Sequence, residues 1–174
     1  MNVFMQIDGI DNIEADTSDK HFSGWLKVIY FSWGCHRNMP STDATEDDQD
    51  DEREMGKVAM TDLNFSRYVD KASPKLFEAA YSGKSNTIKL IQTKSETSDN
   101  DEPYMEFTFK NAVISHYAVK GLNTPGISPR EELTLSFTAL EISCISYKDD
   151  GSVDASSALS FDTTTNTATT TTKL

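Results

Sequence analysis

The sequence predicts a mainly β protein, an antiparallel barrel or sandwich interrupted by one short helix. Three observations lead there. Runs rich in Val, Ile, Thr and aromatic residues recur at short intervals, bounded by Gly, Pro, Asn and Asp. Two of them alternate strictly. In LTLSFT, Leu133, Leu135 and Phe137 alternate with Thr134, Ser136 and Thr138, and in YMEFTF, Met105, Phe107 and Phe109 alternate with Glu106 and Thr108. A period of two gives a strand with one dry and one wet face, which is antiparallel architecture. The third observation is KASPKLFEAAYSGK, residues 71–84, the one stretch with clear helical punctuation.

In chain order, VFMQID is the first strand. GWLKVIYFSW is the second, and it has no wet face. Trp25, Ile29, Phe31 and Trp33 share one side with Lys27, while Leu26, Val28, Tyr30 and Ser32 share the other. Such a strand is covered on both sides, either by the helix or by another subunit. Leu26, Val28 and Tyr30 are therefore candidate subunit-contact residues. Ser32, opposite Phe31 and Trp33, is a candidate contact residue on that second surface, or else a small residue accommodating a packed neighbour.

Residues 41–54, STDATEDDQDDERE, carry eight acids and one base, a local charge of -7 within a chain total of -12. Like charges at this density repel and stay solvated, so an exposed acidic loop over 36–55 is expected between two strands. From Lys57 to Lys94 the balance reverses, with seven bases against three acids. Within the acidic arm Glu46, Asp47, Asp48, Asp50, Asp51 and Glu52, and within the basic segment Lys57, Lys71 and Lys75, are candidate groups for contact between copies of the chain. KVAMTDLNF is the strand after the arm.

The helix is predicted over about 74–82. Ser73 supplies a capping hydroxyl and Pro74 suits the first turn. Leu76, Phe77, Ala80 and Tyr81 form an apolar stripe. Gly83 takes the left-handed conformation that ends the helix. At this length it is marginal alone and depends on docking. NTIKLIQT, YMEFTFKNAVISHYAV and ELTLSFTALEISCISY complete the strands. The Thr-rich end, residues 162–174, is read as a tail whose last several residues are disordered in an isolated chain, after a body spanning 1–161.

Composition excludes several functions. The net charge of -12 disfavours nucleic acid and anionic membrane. No apolar run approaches the roughly 20 residues of a membrane span. The N-terminus has acids where a signal peptide has bases, so synthesis in the cytoplasm without a cleaved signal is expected. Cys35 and Cys144 read as free, buried thiols. No GxSxG elbow surrounds a serine near His21, His36 or His116. Cys35 beside His36 is poor zinc spacing, and the acidic run lacks the central Gly of a calcium loop. We therefore expect no enzyme, cofactor or metal.

Four segments in order resemble a known family. GKVAMTDLNFSRYVDKASPKLFEAAYSGK, residues 56–84, is similar to the central signature of the hemolysin-coregulated proteins, Hcp, the tube formers of type VI secretion. Gly56, Lys57 and Val58, Val69 to Leu76, and Ser82 to Lys84 carry the likeness. DTSDKHFSGWLKVIYFSWG resembles the family's run ending in Ser-Trp-Gly, here Ser32, Trp33 and Gly34. FTFKNAVISHYAVKG and EELTLSFTALEISCISY resemble its long central and late strands. The resemblance implies a small β-barrel of two packed sheets with one flanking helix. It implies a homohexameric ring, rings stacked into a tube, a contractile sheath and spike as partners, and small effector proteins in the lumen; in such a ring Ser32 is the candidate for contact with cargo on the lumen wall, and the acidic-arm and basic-segment groups are the ring-stacking candidates. Secretion to the extracellular space or a target cell follows. The alternatives are a phage tail-tube protein, or a monomeric ligand-binding barrel or carboxylate-dependent hydrolase.

Overall fold

An 18-residue strand, β8 (Pro103–Lys120), organises the molecule. At about 3.3 Å per residue it is far longer than an ordinary strand, and it serves two sheets in succession. Asn111 adopts a positive φ of 50°, and the register with its later partner slips between Ile114 and His116. Ahead of that bend β8 pairs with two strands, and beyond it with a third. The structure, a computed structural model, describes residues 2–10, 21–37, 57–94, 102–121, 123–148 and 151–173.

The other elements are β1 (Val3–Ile7), β2 (Leu26–Lys27), β3 (Tyr30–Ser32), β4 (Cys35–Arg37), β5 (Val58–Met60), β6 (Leu63–Tyr68) and α1 (Ser73–Ser82). They are followed by β7 (Asn86–Thr93), β9 (Arg130–Ser136), β10 (Ala139–Tyr147), β11 (Val153–Asp162) and β12 (Thr167–Lys173). The main path runs β12-β11-β10-β8-β7-β1-β2. A four-stranded branch, β3-β6-β9 and the second half of β8, folds back over it, and β4 and β5 form a separate ribbon. Every pair in the register is antiparallel.

The mainly β fold with two sheets and one short helix stands, but the expected barrel does not. Among the described residues no sheet closes into a barrel. The reason lies at Val28 and Ile29. The Val28 N–H donates to the Val3 carbonyl and the Ile29 N–H to the Ser66 carbonyl. The chain thus leaves one sheet and joins the other by a bend, with no strand-to-strand ladder completing the circuit. The same bend revises the two-faced strand. GWLKVIYFSW is two short strands whose alternation changes phase: Leu26 and Val28 are buried, then Phe31 and Trp33 pack on Phe107 while Tyr30 is exposed.

The core fills the space between the two layers, with Met5, Leu63, Leu76, Ile88, Leu90, Phe109 and Leu135 fully enclosed. α1 closes one side of it. The helix ends as expected, with Gly83 at φ 62° and its N–H donating to the Ala79 carbonyl. Its start differs. The capping position is Ala72, without a side-chain cap, and Ser73 is helical. The Ser73 hydroxyl instead accepts from the Asp70 N–H, and the Asp70 carboxylate accepts from the Ala72 N–H. The stripe is also rotated: Ser73, Leu76 and Ala79 face inward, leaving Phe77 and Tyr81 exposed. Burying Leu76 alone contributes on the order of 2 kcal/mol.

Two further expectations change. The Thr run is ordered as β12 from Thr167 to Lys173, because β11 supplies the ladder that threonine needs. Both cysteines are free, but exposed where burial was expected.

Candidate functional site

The four-stranded branch has one apolar and one polar face, and the polar face is the candidate site. Its rows follow from the register. Ser32 lies opposite Asn64, Asn64 opposite Thr134, and Thr134 opposite His116. In the next row Tyr30, Ser66, Glu132 and Ala118 are aligned. The alternate positions, Phe65, Leu133 and Leu135, point into the core. Side chains knit the polar rows together. The Thr134 hydroxyl donates to Asn64 Oδ1 at 2.8 Å, and the Ser115 hydroxyl donates to the Thr134 carbonyl at 3.2 Å. Lys120 Nζ meets Glu132 Oε2 at 2.6 Å, and the Arg130 guanidinium sits 5.4 Å from the centre of the Tyr68 ring. A shallow groove of about 400 Å³ runs across Tyr30, Asn64, Ser66, His116, Glu132 and Thr134. The groove is lined by hydroxyl, amide and imidazole groups, with Glu132 in the second of the polar rows.

Behind this sheet a charged cluster fixes the helix to it. Arg67, 2% exposed, places one guanidinium nitrogen 2.5 Å from Glu131 Oε1 and the other 2.5 Å from Asp70 Oδ2. Glu131 is completely buried, and its second oxygen accepts from the Tyr117 hydroxyl at 2.7 Å. Burial, and then the hydrogen bond and charge of Glu131, push the Tyr117 phenol well above its ordinary range, against the opposing charge of Arg67. Because Asp70 also holds the Ala72 N–H, the cluster sets where α1 begins.

The residues expected from the sequence fall in different places. Ser32 lies on the polar face, at the edge strand beside Asn64. Leu26 and Val28 are enclosed within the single chain, and Tyr30 alone of the three offers surface. Lys57, Lys71 and Lys75 are exposed, Lys75 pairing with Glu78 at 3.1 Å. Glu46, Asp47, Asp48, Asp50, Asp51, Glu52 and most of the expected acidic loop lie outside the described residues. Asn64, Thr134, Glu132 and His116 were not assigned from the sequence to a shared surface with Ser32. The alternation in LNFSRY and EELTLS places three of them on a wet face, but only the register brings them into rows with Ser32. Among the described residues no cluster of three or more His, Cys, Asp or Glu side chains could hold a metal ion.

The family model described as type VI secretion system effector, Hcp, matches residues 4–144. The chain belongs to the Hcp family. Among curated proteins it is similar to Protein hcp1 of Pseudomonas aeruginosa, 30% identical over 100 residues, covering 56% of this chain. That match spans 60% of the relative's own length. Among solved structures, one described as a type six secretion system protein superposes with a TM-score of 0.80 at 19% identity, covering 97% of this chain and 99% of that one. Hcp1 from Salmonella typhimurium superposes with a TM-score of 0.71 at 24% identity, covering 97% and 98%. At those identities the superpositions speak for a shared fold. The Hcp match ends at Cys144 in β10, so the β11–β12 hairpin lies beyond the matched residues.

Proposed function

We propose that this Hcp-family chain is a structural unit of the type VI secretion tube. Copies close into a hexameric ring, rings stack, a contractile sheath expels the tube behind a spike, and small effector proteins ride in the lumen. The observation that carries this reading is the pair of free edges on the polar-faced branch. Among the described residues β3 pairs only with β6, and Val113–Lys120 of β8 pairs only with β9. Each edge leaves backbone donors and acceptors unpaired, and such edges are templates for strand addition. The two edges are different surfaces of one molecule. Joining one to the other on the next copy is a head-to-tail contact, which closes into a ring when the rotation permits. The polar face would then line the hole, with Ser32 at each seam. The number six comes from the family.

Stacking follows the charge pattern. Acidic arms facing each other would repel over about 8 Å at physiological salt, so each arm meets the basic Lys57–Lys94 segment of the adjacent ring, head to tail. Export follows from the tube itself, the expelled tube carrying its own subunits out of the cell. Electron microscopy of the pure protein tests the ring: annuli with an open centre are expected. A solitary species of 19.4 kDa at high concentration would overturn it.

A further inference from the structure

Phe77 and Tyr81 stand one helical turn apart on α1, and are 57% and 87% exposed. Residues at this spacing share a helix face. They do not stand alone. The Phe77 ring meets Tyr117 edge-on at 5.5 Å, and Val119, two residues further along β8 on Tyr117's side of the strand, is 55% exposed. Exposed apolar groups thus stand on α1 and on the half of β8 that carries the free edge, joined where Phe77 meets Tyr117.

The opposite edge of the same branch carries a counterpart. Ile29, immediately before β3, is 40% exposed although its N–H is bonded to the Ser66 carbonyl. By alternation it shares the side of Phe31, which packs edge-on against core Phe107 at 5.8 Å. Tyr117 is also on the core side, since its hydroxyl reaches buried Glu131. When the β8 edge of one copy meets the β3 edge of the next, Ile29 therefore arrives on the same side of the joined sheet as Tyr117 and Val119, the side on which Phe77 of α1 packs.

We infer that α1 is the seal of the subunit seam: Phe77 and Tyr81 of one copy close over Ile29 of its neighbour. This rests on the ring reading and names the groups that hold it. A second copy fits better than an unrelated partner, because both apolar patches flank free edges of one sheet and lie on the same side of it. Aromatic side chains with a dry neighbour are also the residues that dominate such contacts. The rotated helix stripe has its explanation here. One side of the helix fastens to its own core, and the aromatic side serves the adjoining copy.

The test is dilution of the full chain in the analytical ultracentrifuge. Tyr81→Ser and Ile29→Ser, both at exposed positions, are each expected to raise the concentration of half-dissociation about tenfold or more. The double variant is expected to fall short of the product of the single effects, because the two side chains touch across the seam. In a chain carrying Cys35→Ser and Cys144→Ser, the pair Tyr81→Cys and Ile29→Cys treated with a short bismaleimide is expected to give a ladder of covalent multimers. Wild-type rings whose variants dissociate at the wild-type concentration, or a cross-linked product confined within single chains, overturn the seal and leave the ring standing. A wild-type chain that is itself solitary overturns both.

Discussion

Replacing Arg67 with Met probes the cluster that fixes the helix to the sheet. The side chain is 2% exposed and holds both Glu131, fully buried, and Asp70, 12% exposed. Met fills much of the same space but removes both ion pairs. Among the described residues Glu131 keeps only the Tyr117 hydroxyl as a side-chain donor, so a carboxylate is left almost uncompensated in the interior. Breaking a buried pair in this way costs about 3–5 kcal/mol. For a chain of this size each kcal/mol moves the midpoint by about 2–4 °C, so the Arg67→Met melting point should fall by roughly 10 °C. Thermal and urea unfolding followed by circular dichroism measure it, at one fixed protein concentration because association raises apparent stability. A second substitution sharpens the test. Arg67 Nε is buried without a partner among the described residues, so the cluster is not fully satisfied and its net worth is smaller than the cost of breaking it. Arg67→Met with Glu131→Leu should therefore be more stable than Arg67→Met alone. A single variant that loses less than about 2 °C, or a double variant whose loss is the sum of the two singles, would refute the reasoning.

The Tyr117 proton is held more tightly in the folded chain than in the unfolded one, so its contribution is complete below about pH 10 and is lost as pH rises further. Tyr117→Phe should flatten that alkaline loss in a pH series of urea midpoints, while lowering stability near neutrality by about 1.5–3 kcal/mol through the lost bond to Glu131. The Tyr147 phenol is also raised, by burial and then by Glu102 and Glu106, so some alkaline slope should survive. Gly83→Ala should destabilise by about 1 kcal/mol in the same assay, through its φ of 62° alone, since among the described residues nothing beyond the local backbone crowds the added carbon. Ser32→Phe should leave ring formation intact by native mass while reducing the effector protein that copurifies; unchanged cargo would remove Ser32 from the lumen wall. Raising salt should loosen ring stacking in sedimentation, whereas stacking that is indifferent to salt would refute arm-to-basic-segment contact.

The sequence by itself determined the class of the fold, the place and end of its helix, and the family. These are local properties. The alternation in LTLSFT sets one face of a strand whatever it pairs with, and Gly83 ends a helix because it lacks a Cβ. Strand pairing belongs to tertiary structure. Nothing local says that β8 serves two sheets, that the bend at Val28–Ile29 leaves the barrel unclosed, or that the Thr run finds β11 as its neighbour. The rotated face of α1 was decided the same way. Leu76, Phe77, Ala80 and Tyr81 are equally apolar by spacing, and only the position of the sheet beneath them selects which are covered. Ser32 shows both halves in one residue: alternation with Phe31 and Trp33 gave its side of the strand, while Asn64, Thr134 and His116 joined it through pairings between residues 18 to 70 apart in the chain, where the entropy of closing long loops is repaid only by the packed whole.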